Sequence, residues 1–268
     1  GKASAAKIHR ITEIANVDLR TNLSDRISQL FMSQHHSDVV FIVEGEKLPA
    51  HKCILAAGNN FFERLLYGDL LESNQKEIEL PEVPLEAFEV LLRFIYSGRI
   101  CLKDMEEETV LSILVLANKY GVMDLEVAIV RYLKEVLALE NLWAILKIAW
   151  YCELKHLKEV CYNFLDINAS ELLAQKSFNG ISEKLLQNVL RRDSFLVPEF
   201  EIFAAVRDWY DYNPDGDINS VLSCVRFPLM NLNELAKVRR SGMVKVEELM
   251  DAAEVKIIFF ICDFYYFF

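Results

Sequence analysis

Glycine is scarce in this chain, with nine glycines among 268 residues. No two of them are closer than ten positions in the sequence. Nucleotide-binding P-loops and dinucleotide-binding turns need two or three glycines within about six or seven residues, so both motifs are absent. The sequences GxSxG and HExxH do not occur either. Their absence excludes the commonest serine hydrolase elbow and the zinc protease helix.

Basic residues are outnumbered by acidic ones, 29 against 40, and the formal net charge is −11. The only paired arginines, Arg191-Arg192 and Arg239-Arg240, stand far apart. Nucleic-acid-binding domains normally show a clustered basic face. We therefore expect no nucleic-acid partner.

Cysteine shows neither a disulfide pattern nor a zinc pattern. The six cysteines lie at unrelated spacings, and no CxxC occurs. We expect reduced, mostly buried thiols in a cytoplasmic protein. Cys53 follows His51 by two positions, a spacing that could activate a thiol. However, Cys53 opens the apolar run CILAA, where a core cysteine is the commoner case. We therefore predict no catalytic residue and no enzyme activity.

Histidine offers one conceivable metal cluster, formed by His35, His36, Asp38 and His51. Adjacent histidines on a strand point to opposite faces, so one site would not use both. We expect no metal and no cofactor. His35 and His36 are then expected in a solvated loop, and His51 is expected to be buried and hydrogen-bonded.

No apolar run reaches the roughly 20 residues that a membrane-spanning helix needs. The final twelve residues, 257–268, read IIFFICDFYYFF and hold seven aromatic residues. We treat this apolar tail as a segment of uncertain origin, either an alternative ending or an added sequence. Residues 1–15 carry charges and lack the apolar core of a signal peptide. We expect no membrane partner.

The chain divides into two kinds of pattern. Strand-like segments occur at 38–45, 47–52 and 76–80, and one more short strand is expected at 99–103. Helical periodicity fills the intervals, and only helical patterns follow from about residue 137. The sequence therefore predicts an α+β domain, with a small mixed sheet and flanking helices, followed by an all-α domain.

The segment from Ser37 reads SDVVFIVEGEKLPAHKCILAAGNNFFERLLYGDLLES. Its strand opening at Asp38, its hairpin and its H-K-x-x-L-A-A sequence from His51 resemble the BTB (POZ) family. The later segments IELPEVPLEAFEVLLRFIYSGRI and ILVLANKYGVMDLEVAIVRYL are similar to the two helical signatures of that family. The resemblance implies a BTB/POZ domain over 19–136, with Asp38 and His51 as structural signature residues.

The following helical block resembles the BACK domain that accompanies BTB in many cullin adaptors. The segments that carry this likeness are ENLWAILKIAWYCELKHLKEVCYNFLDINASELL, RDSF, EIFAAVRDWYDYN and VRFPLMNLNEL. The resemblance implies a BACK domain over 137–256. Family members with these signatures continue into discoidin-like β-domains, so we expect the chain to be a fragment or a short form.

Residues 19–31 have apolar side chains at helical spacing, and the helix that they form needs an apolar surface to cover. That surface is either its own domain or a second copy of the chain. The resemblance implies a homodimer through this first helix, with a swapped strand possible within the leader 1–18. The candidate interface residues are Leu19, Leu23, Ile27, Leu30 and Phe31.

The resemblance also implies binding to the N-terminal domain of cullin-3 through a hydrophobic-x-Glu motif after the third helix. Leu70, Leu71 and Glu72 match that motif, and further contacts are expected near Tyr120 and around 141–151. The chain would then be a non-catalytic, dimeric substrate-adaptor subunit of a cullin-3 RING ubiquitin ligase. The alternative is a BTB-dimer interaction scaffold without a ligase role. The sequence does not identify the protein substrate.

Overall fold

The structure, a computed structural model, describes residues 20–69 and 71–266, with side chains omitted for 20–22, 71–72 and 258–266. The chain divides into two compact units, and the division falls between Glu135 and Val136.

Within its described residues, the first unit contains one three-stranded mixed sheet. Its strands are β1 (Val39–Val43), β2 (Glu46–Ala50) and β3 (Glu77–Glu79), in the order β2-β1-β3. β1 pairs with β2 in antiparallel fashion and with β3 in parallel fashion. The hairpin turn consists of Glu44 and Gly45, with φ values of 51° and 84°. Two left-handed residues make the twist of the turn match that of the strands, which confirms the predicted hairpin.

Helices surround this sheet, and α3 is followed by a short 3-10 turn at Leu71–Asn74. The described helices of the first unit are α1 (Arg20–Ser28), α2 (Lys52–Gly58), α3 (Asn60–Tyr67), α4 (Leu85–Ser97), α5 (Glu107–Tyr120) and α6 (Met123–Glu135).

An aromatic cluster fills the core between the sheet and the helices. The Phe41 ring of β1 meets Phe62 of α3 at 6.0 Å and Phe88 of α4 at 5.4 Å, both edge to face. Phe88 in turn meets Tyr120 at 6.2 Å. Such pairs add to the hydrophobic stabilisation of burial, so one strand and three helices share a single apolar centre.

His51, at the junction of β2 and α2, is 4% exposed and fully hydrogen-bonded. Its backbone N–H donates to Tyr96 Oη at 2.9 Å, and its Nε2 lies 2.8 Å from the His35 carbonyl oxygen. A carbonyl only accepts, so Nε2 carries the hydrogen. In the neutral ring, Nδ1 then accepts from the Tyr96 hydroxyl at 2.8 Å. The imidazole therefore joins α4 to the loop that precedes β1.

The expected strand at 99–103 does not form, and the segment is irregular. No described strand runs beside it, and backbone groups form a strand only against a partner. Arg99 is instead tied to α4 through Ser97, whose hydroxyl accepts from the Arg99 N–H at 3.2 Å. The prediction of a fourth strand in the described fold was wrong.

Among its described residues, the second unit contains helices and 3-10 turns and no strand, as the sequence predicts. Its 3-10 turns lie at Lys176–Gly180 and Phe227–Leu229. The helices are α7 (Leu142–Tyr151), α8 (Lys155–Ile167), α9 (Ala169–Leu173), α10 (Glu183–Leu190), α11 (Glu199–Tyr212), α12 (Ile218–Leu222), α13 (Leu232–Ser241) and α14 (Val246–Tyr266).

Buried polar contacts fix α11 in this unit. The indole N–H of Trp209, a residue 1% exposed, donates to the Ile181 carbonyl at 2.9 Å. The Glu199 carboxylate, also buried, accepts from Arg226 Nε at 2.6 Å and from the Arg226 N–H at 2.9 Å. These bonds satisfy polar groups that burial would otherwise penalise.

The last helix, α14, continues into the apolar tail, although the sequence pattern predicts a helix only to about residue 255. Lys256 holds its middle, since Nζ donates to the Met230 carbonyl at 2.6 Å. Among the described residues, none of the helices has both the length and the apolarity to cross a membrane.

Replacing Tyr96 by Phe tests the junction at His51. The substitution leaves the His51 N–H and Nδ1 buried without a partner, so we expect the free energy of unfolding to fall by about 1–3 kcal/mol. Urea denaturation measures the change. Tyr67→Phe is the matched control, because Tyr67 is 56% exposed and should stay within about 0.5 kcal/mol. Equal effects of the two substitutions would contradict the assignment.

Tyr96 should also titrate abnormally. Burial raises the pKa of its phenol from 10.0 to about 12. Because the folded pKa is the higher one, the stability linked to this group is complete below pH 10 and is lost as the pH rises towards 12. Ultraviolet difference spectra of the wild type minus Tyr96→Phe measure this titration. A transition at the ordinary pKa would show that the phenol is solvated.

Candidate protein interaction site

The segment that joins α3 to β3, residues 68–76, forms an exposed loop that we call the α3–β3 loop. Gly68 ends α3, with its N–H donating to the Arg64 carbonyl at 3.0 Å. A Cβ at Gly68 would lie 2.3 Å from the same carbonyl oxygen. Only glycine fits such a close approach of backbone to backbone. The direction in which the loop leaves α3 therefore requires a glycine at position 68.

Lys52 anchors the half of the α3–β3 loop that leads to β3. Its Nζ donates at 2.8 Å to the carbonyl of Ser73, which lies within the 3-10 turn. The Lys52 N–H donates to Asp38 Oδ1 at 2.7 Å, which caps the start of α2 in place of the His51 side chain. The two ends of Lys52 therefore connect β1, α2 and the loop.

The α3–β3 loop carries the predicted cullin motif. Leu70 lies outside the described residues. The backbone of Leu71 and Glu72 forms the first half of the 3-10 turn, and their side chains are not described. Tyr67 and Asp69, which flank the motif, are exposed. The motif thus belongs to a loop that contacts at Gly68 and Ser73 hold at two points.

Tyr120 is not on the surface, so the expectation of contacts near it needs a correction. The residue is 3% exposed, and its ring meets Phe61 at 4.8 Å and Phe62 at 5.7 Å. Burial raises the pKa of its phenol. Because the ring belongs to the aromatic core, contacts near it can come only from exposed neighbours such as Lys119 and Gly121.

Asn59 couples this end of α5 to α3. Its Oδ1 accepts from the N–H groups of Phe61 and Phe62 at 2.8 and 3.2 Å, which caps α3. Its Nδ2 donates to the Gly121 carbonyl at 3.1 Å. The start of α3 and the end of α5 are therefore held together, although the residues are far apart in sequence.

The first helix, α1, packs on α4 of its own unit. Ser24 Oγ donates to the Ser97 carbonyl at 3.2 Å, and Asp25 pairs with Arg99 at 3.1 Å. Beyond the helix, the Phe31 ring lies edge to face with Tyr96 at 5.9 Å, with the Arg93 guanidinium 5.2 Å away. One side of this segment is therefore covered within the chain.

The predicted dimer residues divide between the covered and the outer side of this segment. Leu23 is 60% exposed, whereas Ile27, Leu30 and Phe31 are half-buried. Leu19 lies outside the described residues. The structure thus brings Phe31 into its own domain and leaves Leu23 towards solvent.

The start of the second unit presents aromatic side chains. In α7, Trp150 is 36% exposed and Tyr151 75% exposed. Before this helix, Asn141 Oδ1 accepts from the Ala138 N–H at 2.8 Å and fixes the turn. The segment 141–151, where further partner contacts are expected, therefore combines a fixed start with an exposed aromatic end.

The described residues include no group of three His, Cys, Asp or Glu side chains placed to hold a metal ion. His35 and His36 lie exposed in their loop. Cys53 is exposed too, so its assignment to the core was wrong, since the side chain points away from the face of α2 that buries Leu55. Cys161 is buried, which raises the pKa of its thiol to about 12 and keeps it protonated.

Comparison with known families agrees with this architecture. The sequence model of the BTB/POZ domain matches residues 27–137, and the model described as BTB And C-terminal Kelch, or BACK, matches residues 142–240. The chain belongs to the BTB–BACK family, with a BTB/POZ domain followed by a BACK domain.

Curated relatives with BTB/POZ names match most of this chain. BTB/POZ domain-containing protein 9 of Drosophila melanogaster is 47% identical over 239 residues, or 89% of this chain and 33% of the relative. The Homo sapiens protein of the same name is 38% identical over 247 residues, 91% of this chain and 40% of its own length. BTB/POZ domain-containing protein 6-A of Danio rerio is 32% identical over 230 residues, which are 80% of this chain and 42% of the relative.

The R-D-S-F, V-R-F-P-L-M and R-S-G-M sequences of this chain predict a likeness to BTB/POZ domain-containing protein 9, and these identities confirm it. The chain spans about a third to two fifths of the length of these relatives.

Replacing Gly68 by Ala tests the exit of the α3–β3 loop. The added Cβ meets backbone 2.3 Å away, so α3 must shift, and we expect a loss of about 1–3 kcal/mol in the free energy of unfolding. Gly180→Ala is the control, because a Cβ there meets nothing within 4 Å. If both variants unfold at the same urea concentration as the wild type, the close approach at Gly68 is not a constraint.

Proposed function

We propose that the chain is a non-catalytic, dimeric substrate-adaptor subunit of a cullin-3 RING ubiquitin ligase. Membership in the BTB–BACK family supports an adaptor role. The observation that carries the proposal is the anchored α3–β3 loop. Gly68 and Lys52 fix its two parts, and it presents the segment that resembles the cullin motif.

The proposed cullin surface centres on Leu70, Leu71 and Glu72. An exposed leucine can fill an apolar pocket of a partner, and a few such anchors carry most of the energy of an interface. Glu72 would supply the acidic contact. Exposed residues beside Tyr120 and the first BACK helix, 141–151, would complete the surface. We retain 19–136 and 137–256 as the proposed domain bounds.

The proposed dimer interface comprises the outer side of α1. The same patch would meet itself across a two-fold axis. Leu23 is the exposed anchor, and Ile27, Leu30 and Phe31 are half-covered beside it. Leu19, which precedes the described helix in sequence, remains a candidate. Covering such a patch gains roughly 25 cal/mol per Å² of apolar surface.

An adaptor of this kind needs no catalytic group of its own. It would hold a protein substrate beside a ubiquitin-loaded enzyme that the cullin recruits, which raises the effective concentration of the reacting groups. We also propose a cytoplasmic location. Among the described residues, the free cysteines Cys53, Cys101, Cys161 and Cys224 fit a reducing compartment.

Calorimetric titration with the cullin-3 N-terminal domain tests the adaptor role. We expect binding at micromolar or lower concentration by the wild type. Leu70→Asp combined with Glu72→Ala should weaken it by about thirtyfold or more, because a hot spot contributes about 2 kcal/mol. Leu196→Asp combined with Glu201→Ala makes the same changes at exposed sites of the BACK domain and should leave affinity unchanged.

A wild type with no detectable micromolar binding would refute the adaptor role. A dimer that fails to bind cullin would instead favour the interaction scaffold without a ligase function.

Light scattering tests the dimer. We expect a mass of twice 31.0 kDa at micromolar concentration. Leu23→Asp combined with Ile27→Asp should shift the protein to monomer, since two buried carboxylates per copy would face each other. Leu229→Asp, at a site 64% exposed in the second unit, is the control and should remain dimeric. A wild type at monomer mass would exclude the proposed interface.

A further inference from the structure

A cleft of about 230 Å³ lies in the BACK domain between α7 and α10. Lys147, Trp150 and Tyr151 of α7 line one side. The other side is formed by α10 with Ser182, its N-cap, and includes Lys184 and Asn188. Sites for drug-sized molecules are usually about 300–1,000 Å³. This cleft is smaller and suits a side chain or two of a peptide.

The aromatic wall of the cleft is held in place by a chain of contacts. The Trp150 indole N–H donates to Tyr162 Oη at 2.9 Å, and Lys158 Nζ lies 4.6 Å from the Trp150 ring centre. The Arg192 guanidinium covers the Tyr162 ring at 4.1 Å and pairs with Asp166 at 2.7 Å. Trp150 is therefore exposed but preorganised, which lowers the entropic cost of binding.

Three polar side chains of the cleft, Lys147, Lys184 and Asn188, are unpaired among the described residues. Neither Lys147 nor Lys184 has a carboxylate oxygen within 4.0 Å among the described residues, and the Asn188 amide has no hydrogen-bond partner there. Glu183, which directly precedes Lys184 in sequence, accepts hydrogen bonds from other residues. Its carboxylate accepts from Gln187 Nε2 at 2.9 Å and from the Asp217 N–H at 3.1 Å. Two uncompensated ammonium groups thus stand in a chain whose net charge is −11.

We propose that this cleft binds a short acidic peptide segment of a protein partner, with an aromatic or aliphatic side chain against Trp150 and Tyr151. Carboxylates of the segment would pair with Lys147 and Lys184, and its backbone with Asn188. Exposed aromatic residues beside unpaired charges are typical anchors of protein interfaces. Two lysines are too few for nucleic acid, which needs an extended basic face.

The inference deepens the proposed function, because it names the chemical class of a client that an adaptor would hold. It rests on the proposed function for the role of the client, and peptide binding to the cleft is measured without cullin. Panning a random twelve-residue phage-displayed peptide library against the whole chain supplies the probe. We expect enrichment of sequences rich in Asp and Glu that also carry an aromatic or aliphatic residue.

The strongest enriched peptide, made synthetically with a fluorescent label, is then measured by fluorescence polarisation. Lys147→Glu combined with Lys184→Glu should weaken its binding by about tenfold or more, because like charges meet in the interface. Lys176→Glu combined with Lys245→Glu changes the same charge at exposed sites outside the cleft and should leave the affinity unchanged. Raising the salt concentration should weaken wild-type binding.

Three outcomes would overturn the inference. The first is enrichment of peptides without an acidic bias, and the second is equal peptide binding by both double variants. The third is loss of cullin binding in the Lys147→Glu, Lys184→Glu variant, because that result would assign the cleft to the cullin surface. Loss of cullin binding by Leu70→Asp, Glu72→Ala with peptide binding intact would support it. A wild type that binds the peptide through this cleft but not cullin would refute only the adaptor role.

Discussion

The dipeptide His51-Lys52 is the constraint on which the first domain depends. The imidazole of His51 ties β2 to Tyr96 of α4 and to the loop before β1. Lys52 extends the same junction to the α3–β3 loop. Its N–H donates to Asp38 Oδ1, and its ammonium donates to the Ser73 carbonyl. A buried hydrogen-bond network of this kind is costly to leave incomplete. The position of the α3–β3 loop is therefore coupled to the core of the domain.

This coupling gives a physical basis for the proposed adaptor role. The α3–β3 loop is held at Gly68 and Lys52, so a partner that binds it would meet a segment fixed at two points. The outer face of α1, with Leu23, lies on a different helix that packs on α4. The BACK domain adds the cleft at Trp150, and the α7 side of this cleft belongs to the segment 141–151 that the proposed cullin surface also includes. The proposed adaptor role requires that surfaces of this kind hold a cullin, a second copy and a client.

Local signals in the sequence were sufficient for most of the fold. The β1–β2 hairpin that the sequence predicts closes through the local Glu44-Gly45 turn, and the predicted all-helical second unit follows from periodicity within each segment. Long-range geometry could not be predicted. The pattern around Tyr120 does not reveal that its ring packs on Phe61. Likewise, the segment 99–103 has strand-like residues, but a strand needs a partner that no described segment supplies. The contact of Lys52 with Ser73 links residues 21 positions apart, and the H-K signature is the one local hint of it.

We propose that the Lys52 ammonium holds the α3–β3 loop in the conformation that binds the cullin. The most direct measurement is the affinity of Lys52→Met for the cullin-3 N-terminal domain, with hydrogen exchange of residues 68–76 measured in parallel. Methionine keeps the apolar stem but cannot donate to the Ser73 carbonyl. The account predicts faster exchange in the loop and binding about tenfold weaker, since a charge-assisted hydrogen bond is worth roughly 1.5–3 kcal/mol. Unchanged exchange with unchanged affinity would contradict it.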